Sequence, residues 1–197
     1  MERVIPVIKR ISAETEAVIS VDTYRHEVAE RALEAGAHII NDVWGLQYDK
    51  GEMAAVAAKY DTCVIAMHNQ NGTHYEKDIM ISMREFFERT FKIAKEKGLS
   101  KEKIIIDPGI GFGKDFEWNL EVLHRMGEIR DMAPILLGTS RKRFIGTLIG
   151  GLPPKERAEG TIATTVAGIE RGADIVRVHD VRANKRAVLV ADAIIRR

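Results

Sequence analysis

The chain has 197 residues, with 30 Lys and Arg against 29 Asp and Glu, and 45% of its residues are hydrophobic. This near-neutral balance provides no basic field for a polyphosphate backbone, so we predict no nucleic-acid partner. A single cysteine, Cys63, excludes an internal disulfide, and the sequence shows neither a signal-peptide pattern nor an apolar run of roughly 18 residues. These features predict a cytoplasmic protein without membrane contact, built as one domain over residues 1–197.

Short apolar runs alternate with longer segments of helical period, which is the pattern of a βα repeat. The predicted strands are VISVDT from Val18, HIINDV from His38, CVIAMH from Cys63, KIIIDP from Lys103, PILLGTS from Pro134 and DIVRVHD from Asp174. The predicted helices are RVIPVIKRIS, HEVAERALEAG, GEMAAVAAKY, FFERTFKIAKEKG, FEWNLEVLHRMG, ERAEGTIATTVAGIERG and KRAVLVADAIIRR. Because the strands are apolar almost throughout, they indicate a parallel sheet covered on both faces.

Nearly every predicted strand ends in a polar residue. These residues are Asp22, Asn41, Asp42, His68, Asp107, Thr139, Ser140, His179 and Asp180. In parallel α/β folds, ligands bind at the carboxyl ends of the strands. Polar ends on all the runs favour a TIM-type (β/α)8 barrel, of which six βα units are visible, over an open sheet with one switch point. The unit length of about 30 residues also suits a barrel.

The segment DPGIGFGK, Asp107 to Lys114, joins a strand to a helix. Its glycines allow the backbone to approach a flat or anionic ligand, although a structural βα turn is an equal alternative for a bare Gly-rich loop. Asp107 favours the functional interpretation, because a carboxylate among IIID is costly to bury without a cationic or N–H-rich partner.

The segment GTSRKRFIG places Ser140, Arg141, Lys142 and Arg143 after the fifth strand. A hydroxyl, backbone N–H groups and cations together predict an anion site, with a solvated basic turn as the alternative.

Arg177 and His179 lie two positions apart in the last strand, so we expect them on one side of it, facing an anion such as pyrophosphate. Asp22 and Asn41 end the first two strands. The Asp22 carboxylate suits a cation, and the Asn41 amide suits the edge of a heterocycle. For each residue, the alternative is that its side chain caps the following helix. No spacing of His, Asp and Glu predicts a closed metal site, and no set of side chains predicts a protein nucleophile.

Taken in order, these motifs resemble those of dihydropteroate synthase. The matching segments are SVDTY, AHIINDV, IIIDPGIGFGK, LLGTSRKRFIG, GTIATTVAGIERGA and IVRVHDV, which extend over essentially the whole chain. The resemblance implies a pterin-binding βα barrel that joins para-aminobenzoate to 6-hydroxymethyl-7,8-dihydropterin pyrophosphate. The products would be 7,8-dihydropteroate, for folate synthesis, and pyrophosphate, and sulfonamides would compete with aminobenzoate.

The resemblance also implies roles for individual residues. The pterin contacts would be Asp22, Asn41, Val43, Met67, Asp107, Phe112, Gly138 and Lys142. The aminobenzoate contacts would be Phe112, Ser140, Arg141 and Lys142, and the pyrophosphate contacts Arg177 and His179. The residues closest to the chemistry would be Asp22, Asp107 and Lys142. Pyrophosphate would depart with Mg²⁺ to leave a pterin methylene cation that the arylamine attacks, and a homodimer would form through the C-terminal helices.

Two family motifs have no match in this chain. They are an N-x-T-P-D-S-F-type loop that carries a magnesium-binding Asn, and an E-S-T-R-P-G-type loop that closes over aminobenzoate. The sequence resembles the family from its third βα unit onward, so we expect weakened binding of magnesium and aminobenzoate, and little turnover. The alternatives are a methyltetrahydrofolate-dependent methyltransferase, which would not need SRKRF and RVHD, and a non-catalytic fragment.

Overall fold

The structure is a computed structural model that describes residues 1–196, and its strands fall within the predicted apolar runs. The strands are Ser20–Asp22 (β1), Ile39–Asp42 (β2), Cys63–Met67 (β3), Ile104–Asp107 (β4), Leu136–Leu137 (β5) and Ile175–Val176 (β6). The predicted order of βα units is therefore confirmed. The last two strands are much shorter than their apolar runs, which places the polar residues after them in loops.

The helices are Ile5–Glu14 (α1), His26–Glu34 (α2), Glu52–Lys59 (α3), Ile79–Glu96 (α4), Phe116–Arg125 (α5), Arg143–Leu148 (α6), Ala158–Glu170 (α7) and Val181–Ile195 (α8). Two differences from the prediction matter. Helix α4 begins seven residues before the predicted FFERTF segment because Asp78 Oδ1 accepts the backbone N–H groups of Met80 and Ile81, at 2.9 and 3.2 Å. Helix α6, which follows the basic segment directly, was not predicted.

Residue contacts divide the chain into two compact units. The first consists of Met1–Asn69 and Glu85–Ile106, and the second of Gln70–Arg84 and Asp107–Arg197. The division does not test the expectation of one domain over residues 1–197, which stays a prediction.

The first unit contains a parallel sheet in the order β1-β2-β3-β4, of which β4 ends at the boundary residue Asp107. Its core is apolar, with Ile40 and Val64 fully buried. The register pairs Asp22 with Asn41, and Asn41 with Ile65, so the strands end level with one another. This parallel register brings the polar residues of β1 and β2 to one edge of the sheet.

The second unit contains the parallel pair β5 and β6, with Leu137 opposite Val176. Helices α7 and α8 pack together and share a buried hydrogen bond, in which Thr165 Oγ1 donates to Asn184 Oδ1 at 2.9 Å. Within residues 1–196, no helix combines the length and the apolar composition that a membrane span requires.

Gly168 provides a test of the packing between α7 and β5. A Cβ atom at this position would overlap Cδ2 of Leu137, a side chain that is 1% exposed. Helix propensity alone would make Gly168→Ala stabilising by about 1 kcal/mol, but overpacking costs about 1–3 kcal/mol. We therefore expect a net loss of about 1 kcal/mol in the free energy of unfolding, measured by urea denaturation.

The control for this variant is Ala163→Gly at an exposed position of the same helix. It measures the propensity contribution alone, with an expected loss of about 1 kcal/mol. A Gly168→Ala variant that is more stable than the parent protein would contradict the packing argument.

Candidate functional site

At the sheet edge of the first unit, Asn41 is the residue whose surroundings point most directly to a ligand. Its side chain is 5% exposed, and its Oδ1 atom is buried without a hydrogen-bond partner. A buried amide oxygen without a donor costs free energy, so Asn41 is suited to accept an N–H group from a bound molecule. Its neighbour in the register, Asp22, is exposed at the end of β1. Val43 is half-buried and Met67 is buried.

The carboxylate of Asp42, by contrast, makes its hydrogen bonds within the protein. It accepts the backbone N–H groups of Trp44 and Leu46, at 3.0 and 2.7 Å. Burial raises the pKa of Asp42 to about 6, although these two hydrogen bonds act in the opposite direction. Asp42 therefore holds the loop after β2, which includes Val43, and we assign it no ligand contact.

In the second unit, Asp107 lies at the base of the Gly-rich loop and is 7% exposed. Its Oδ1 accepts the backbone N–H of Gly109 at 2.7 Å. Burial raises the pKa of Asp107 to about 6, against the lowering effects of that hydrogen bond and of the positive charges of Lys142, Lys114 and Arg177. Gly138 is close by, since a Cβ atom there would lie 3.7 Å from Asp107 Oδ2. The carboxylate thus has one backbone donor and remains suited to accept further N–H groups.

Lys114 and Asn119 hold the Gly-rich loop in shape, a role that the sequence analysis did not assign. Lys114 is 7% exposed, and its Nζ donates to the carbonyl oxygens of Gly109 and Phe112, at 3.1 Å each. Asn119 Oδ1 accepts the backbone N–H of Gly111 at 2.5 Å. Burial lowers the pKa of Lys114 to about 7. The position of Lys114 at the end of the Gly-rich segment is the sequence signal that could have suggested this role.

Phe112 and Lys142 come together above this loop. Lys142 Nζ lies 4.1 Å from the centroid of the Phe112 ring, a cation–π contact, and the ring is 38% exposed. The exposed ring and the ammonium group together present an aromatic surface beside a positive charge.

A cavity of about 630 Å³ opens next to Lys142. Lys114, Lys142 and Arg143 supply positive groups in its lining, and Phe116 and Phe144 supply aromatic rings. In the part of the chain that the structure describes, Arg143 has no ion-pair partner. Asp115 also lines the cavity, and its carboxylate accepts the backbone N–H of Trp118 at 2.9 Å. The three basic side chains outnumber this carboxylate, so with the aromatic rings they suit a small aromatic anion.

Ser140 and Arg141, both predicted to contact aminobenzoate, already have partners within the unit. Ser140 Oγ lies 2.8 Å from His179 Nδ1 and accepts the backbone N–H of His179 at 3.0 Å. The Arg141 guanidinium pairs with the carboxylate of Asp180, at 2.8 and 3.2 Å. These contacts join the loop after β5 to the loop after β6.

The backbone at Arg141 is left-handed, with φ of 59°, a conformation that requires support in a residue with a side chain. Thr161 Oγ1 accepts the N–H of Arg141 at 3.1 Å, and Arg157 Nη1 donates to the Arg141 carbonyl at 3.0 Å. The sequence analysis did not identify Arg157 or Thr161. Arg157 immediately precedes α7, and Thr161 lies in its first turn. The start of this helix therefore fixes the basic segment.

The expectation that Arg177 and His179 share one side of a strand is wrong, because β6 ends at Val176 and both residues lie in the loop that follows. Both are exposed. They remain close to the basic segment through the contacts of Ser140 with His179, so an anion-binding role for them stays a prediction.

Among residues 1–196, no group of three or more His, Cys, Asp and Glu side chains could hold a metal ion. Cys63 is a free, half-buried thiol.

The buried state of Asp107 has a measurable consequence for stability. Its folded pKa of about 6 lies above the unfolded value of 3.8, so the unfolded chain loses this proton first as the pH rises. The contribution of Asp107 to the free energy of unfolding is therefore largest below about pH 4, falls between about pH 4 and 6, and stays low above that window.

We expect Asp107→Asn, which stays uncharged, to match the parent protein near pH 4 and to become the more stable of the two by pH 7. Urea denaturation of both proteins at a series of pH values measures this difference. A difference that does not change between pH 4 and 7 would show that Asp107 ionises as freely in the folded protein as in water.

Comparison with known proteins shows the family of the chain. The sequence model of the family described as pterin-binding enzymes matches residues 1–179. A dihydropteroate synthase of Clostridium beijerinckii is 49% identical over 100% of this chain and 73% of its own length.

The solved structures agree with the sequence comparison. The crystal structure of dihydropteroate synthase from Clostridium difficile in the presence of pteroic acid has a TM-score of 0.97 and 56% identity, and the match covers 100% of this chain and 74% of that one. The Yersinia pestis synthase with a pterine–sulfa conjugate has a TM-score of 0.92 and 34% identity, over 98% of this chain and 74% of that one.

These likenesses confirm the predicted fold class, the TIM-type barrel family, and favour the synthase over the methyltransferase alternative. By sequence and by fold, the chain belongs to the family of pterin-binding enzymes and, within it, groups with the dihydropteroate synthases.

Proposed function

We propose that this chain joins para-aminobenzoate to 6-hydroxymethyl-7,8-dihydropterin pyrophosphate, forming 7,8-dihydropteroate and pyrophosphate. The family supports the reaction class, since a relative at 49% identity is a dihydropteroate synthase. The observation that carries the proposal is the buried Asp107 carboxylate beside Lys142, Lys114 and Arg177. Such a carboxylate suits the N–H-rich edge of a pterin, and the cations suit a diphosphate.

In the second unit, Asp107 accepts hydrogen bonds from the pterin amino group and ring N–H, with Gly138 allowing close approach. Lys142 and Phe112 provide a cation and an aromatic ring at the same loop. The proposed pterin contacts of the first unit are Asp22, Asn41, Val43 and Met67. Of these, Asn41 has the strongest support, because its Oδ1 atom is buried without a donor.

The proposed chemistry needs no protein nucleophile. The bond between the pterin methylene carbon and the diphosphate oxygen breaks, and the electron pair leaves with pyrophosphate. The aminobenzoate nitrogen then forms a bond to the methylene carbon and loses a proton to solvent. Asp107 stabilises positive charge that develops on the pterin, and Lys142, Arg177 and His179 stabilise negative charge on the leaving group.

The aminobenzoate carboxylate is proposed to lie in the cavity beside Lys142, with its ring against Phe112. We favour Arg143 as its ion-pair partner over Ser140 and Arg141, whose polar atoms bind His179 and Asp180. Arg143 lines the cavity and has no ion-pair partner within residues 1–196. The proposal keeps Phe112 and Lys142 from the aminobenzoate contacts that the resemblance implied. It replaces the other two, Ser140 and Arg141, with Arg143.

Magnesium is proposed as a counter-ion that the diphosphate substrate brings with it, since the described side chains do not form a metal site. When bound, it would neutralise charge on the diphosphate, and no role of the residues above depends on it.

A homodimer through the C-terminal helices is also proposed. Leu189, Val190 and Ile194 on α8 are each at least 60% exposed, which is unusual for large apolar side chains grouped on one helix. Inhibition by sulfonamides is proposed because a related synthase binds a pterine–sulfa conjugate. A cytoplasmic location is proposed because the single cysteine is a free thiol.

Asp107→Ala tests the pterin assignment. We expect it to reduce the affinity for 6-hydroxymethylpterin diphosphate at least 100-fold, because two hydrogen bonds to a charged acceptor are lost, at about 1.5–3 kcal/mol each. Isothermal titration calorimetry measures the affinity, and Asp131→Ala, at an exposed carboxylate that pairs with Arg84, is the control.

A single-turnover incubation with aminobenzoate and the protein in excess tests the reaction itself. Because two family motifs have no match in this chain, we expect dihydropteroate, identified by mass, to form slowly, and to be absent with Asp107→Ala. Unchanged pterin affinity in Asp107→Ala would refute the site, and binding of both substrates without any product would refute the reaction.

Arg143→Ala tests the position of the aminobenzoate carboxylate. We expect aminobenzoate to bind about tenfold more weakly, through loss of one ion pair at a half-open cavity, while the affinity for the pterin diphosphate stays within twofold. Calorimetry measures the aminobenzoate affinity in the presence of pyrophosphate, and the affinity for the pterin diphosphate in its absence. The control is Arg130→Ala, at another exposed arginine of the same unit. An unchanged aminobenzoate affinity would place the carboxylate elsewhere.

A further inference from the structure

The hydroxyl group of Ser140 binds two atoms of one residue, His179. Ser140 Oγ accepts the backbone N–H of His179 at 3.0 Å and lies 2.8 Å from His179 Nδ1. Ser140 is 8% exposed, so water competes little for either contact. The two residues are 39 positions apart and follow different strands, β5 and β6.

The acceptors available to the hydroxyl hydrogen of Ser140 decide the direction of the shorter of these two bonds. The His179 backbone N–H supplies its own hydrogen and occupies a lone pair of the serine oxygen. The second lone pair could accept from Nδ1–H, but the hydroxyl hydrogen of the buried Ser140 would then have no acceptor within residues 1–196. Donation from the hydroxyl to Nδ1 satisfies both groups, so Nδ1 of the neutral imidazole accepts. A neutral ring that accepts at Nδ1 carries its proton on Nε2.

His179 Nε2 is placed to donate this hydrogen to a bound molecule. The residue is exposed, and within residues 1–196 no hydrogen-bond or ion-pair partner of Nε2 is found. Arg177 precedes it by two residues in the same loop, and its positive charge acts on Asp107. A fixed Nε2–H donor next to an arginine is suited to the oxygens of a diphosphate.

We infer that Ser140 is a positioning residue, which holds His179 in the tautomer that presents Nε2–H to the leaving diphosphate. The identity of that anion rests on the proposed function, whereas the tautomer follows from the contacts of Ser140 alone. In this role Ser140 acts through His179 and does not contact aminobenzoate. The adjacent pair of Arg141 with Asp180 joins the same two loops and keeps the serine and the histidine in register.

The tautomer is measured by NMR of the full chain labelled with ¹⁵N-histidine at pH 8. Long-range ¹H–¹⁵N correlations distinguish the two ring nitrogens, and His179→Gln identifies the signals of this residue. We expect an unprotonated Nδ1 and a protonated Nε2 in the parent protein. A His179 ring with its proton on Nδ1 would overturn the inference before any variant is made.

Ser140→Ala is expected to convert His179 to a mixture of tautomers, and Ser140→Thr, which keeps the hydroxyl, to restore the parent spectrum. Thr165→Val is the control, because it removes a buried hydroxyl of the same unit that bonds Asn184 and not His179. If Ser140→Ala does not fold, the parent and Ser140→Thr spectra still decide the tautomer.

Binding experiments then test the consequence of the tautomer. We expect Ser140→Ala to weaken the binding of inorganic pyrophosphate about tenfold, because the Nε2–H donor is present for only part of the time, and to leave aminobenzoate affinity within twofold. Weaker aminobenzoate binding with unchanged pyrophosphate affinity would overturn the inference in favour of direct contact between Ser140 and the carboxylate.

Failure of the proposed function would be distinguishable from failure of the tautomer assignment. A parent protein with the expected tautomer but without measurable affinity for pyrophosphate would refute the proposed function and the role toward the diphosphate. It would leave the positioning of His179 by Ser140 intact.

Discussion

The burial of one carboxylate, that of Asp107, sets the chemistry of the second unit. A carboxylate that is 7% exposed loses most of its hydration, and burial raises its pKa to about 6. One backbone N–H and the charges of Lys142, Lys114 and Arg177 offset part of that cost. The remaining lone pairs of the carboxylate are best satisfied by N–H groups of a ligand, so the cost of burial is the physical basis of the proposed pterin contact.

The loops around Asp107 are held by contacts that do not require a ligand. Lys114 and Asn119 fix the Gly-rich loop through its own backbone atoms, and Arg157 and Thr161 fix the basic segment. The contact between Phe112 and Lys142 is made by residues of these loops. Groups that are already in place need no reorganisation when charge develops during the reaction, which is the condition for electrostatic catalysis.

The sequence predicted the six strands and their polar ends because both depend on local patterns, namely apolar runs and the residues that follow them. It did not predict the start of α4, which depends on the side chain of Asp78, or the short helix α6. The resemblance to the family supplied the pterin residues. The partners of Ser140 and Arg141 lie 39 residues away, and no periodicity in the sequence reports such a contact. For the same reason, the use of Lys114 and Arg157 to hold loops became apparent only from the structure.

The most direct test of the account is a crystal structure of the chain with 6-hydroxymethylpterin diphosphate bound. The account predicts the pterin amino group and ring N–H within about 2.7–3.2 Å of the Asp107 carboxylate, with the diphosphate beside Arg177 and His179. A pterin bound elsewhere, with Asp107 contacting only the Gly109 N–H, would contradict it.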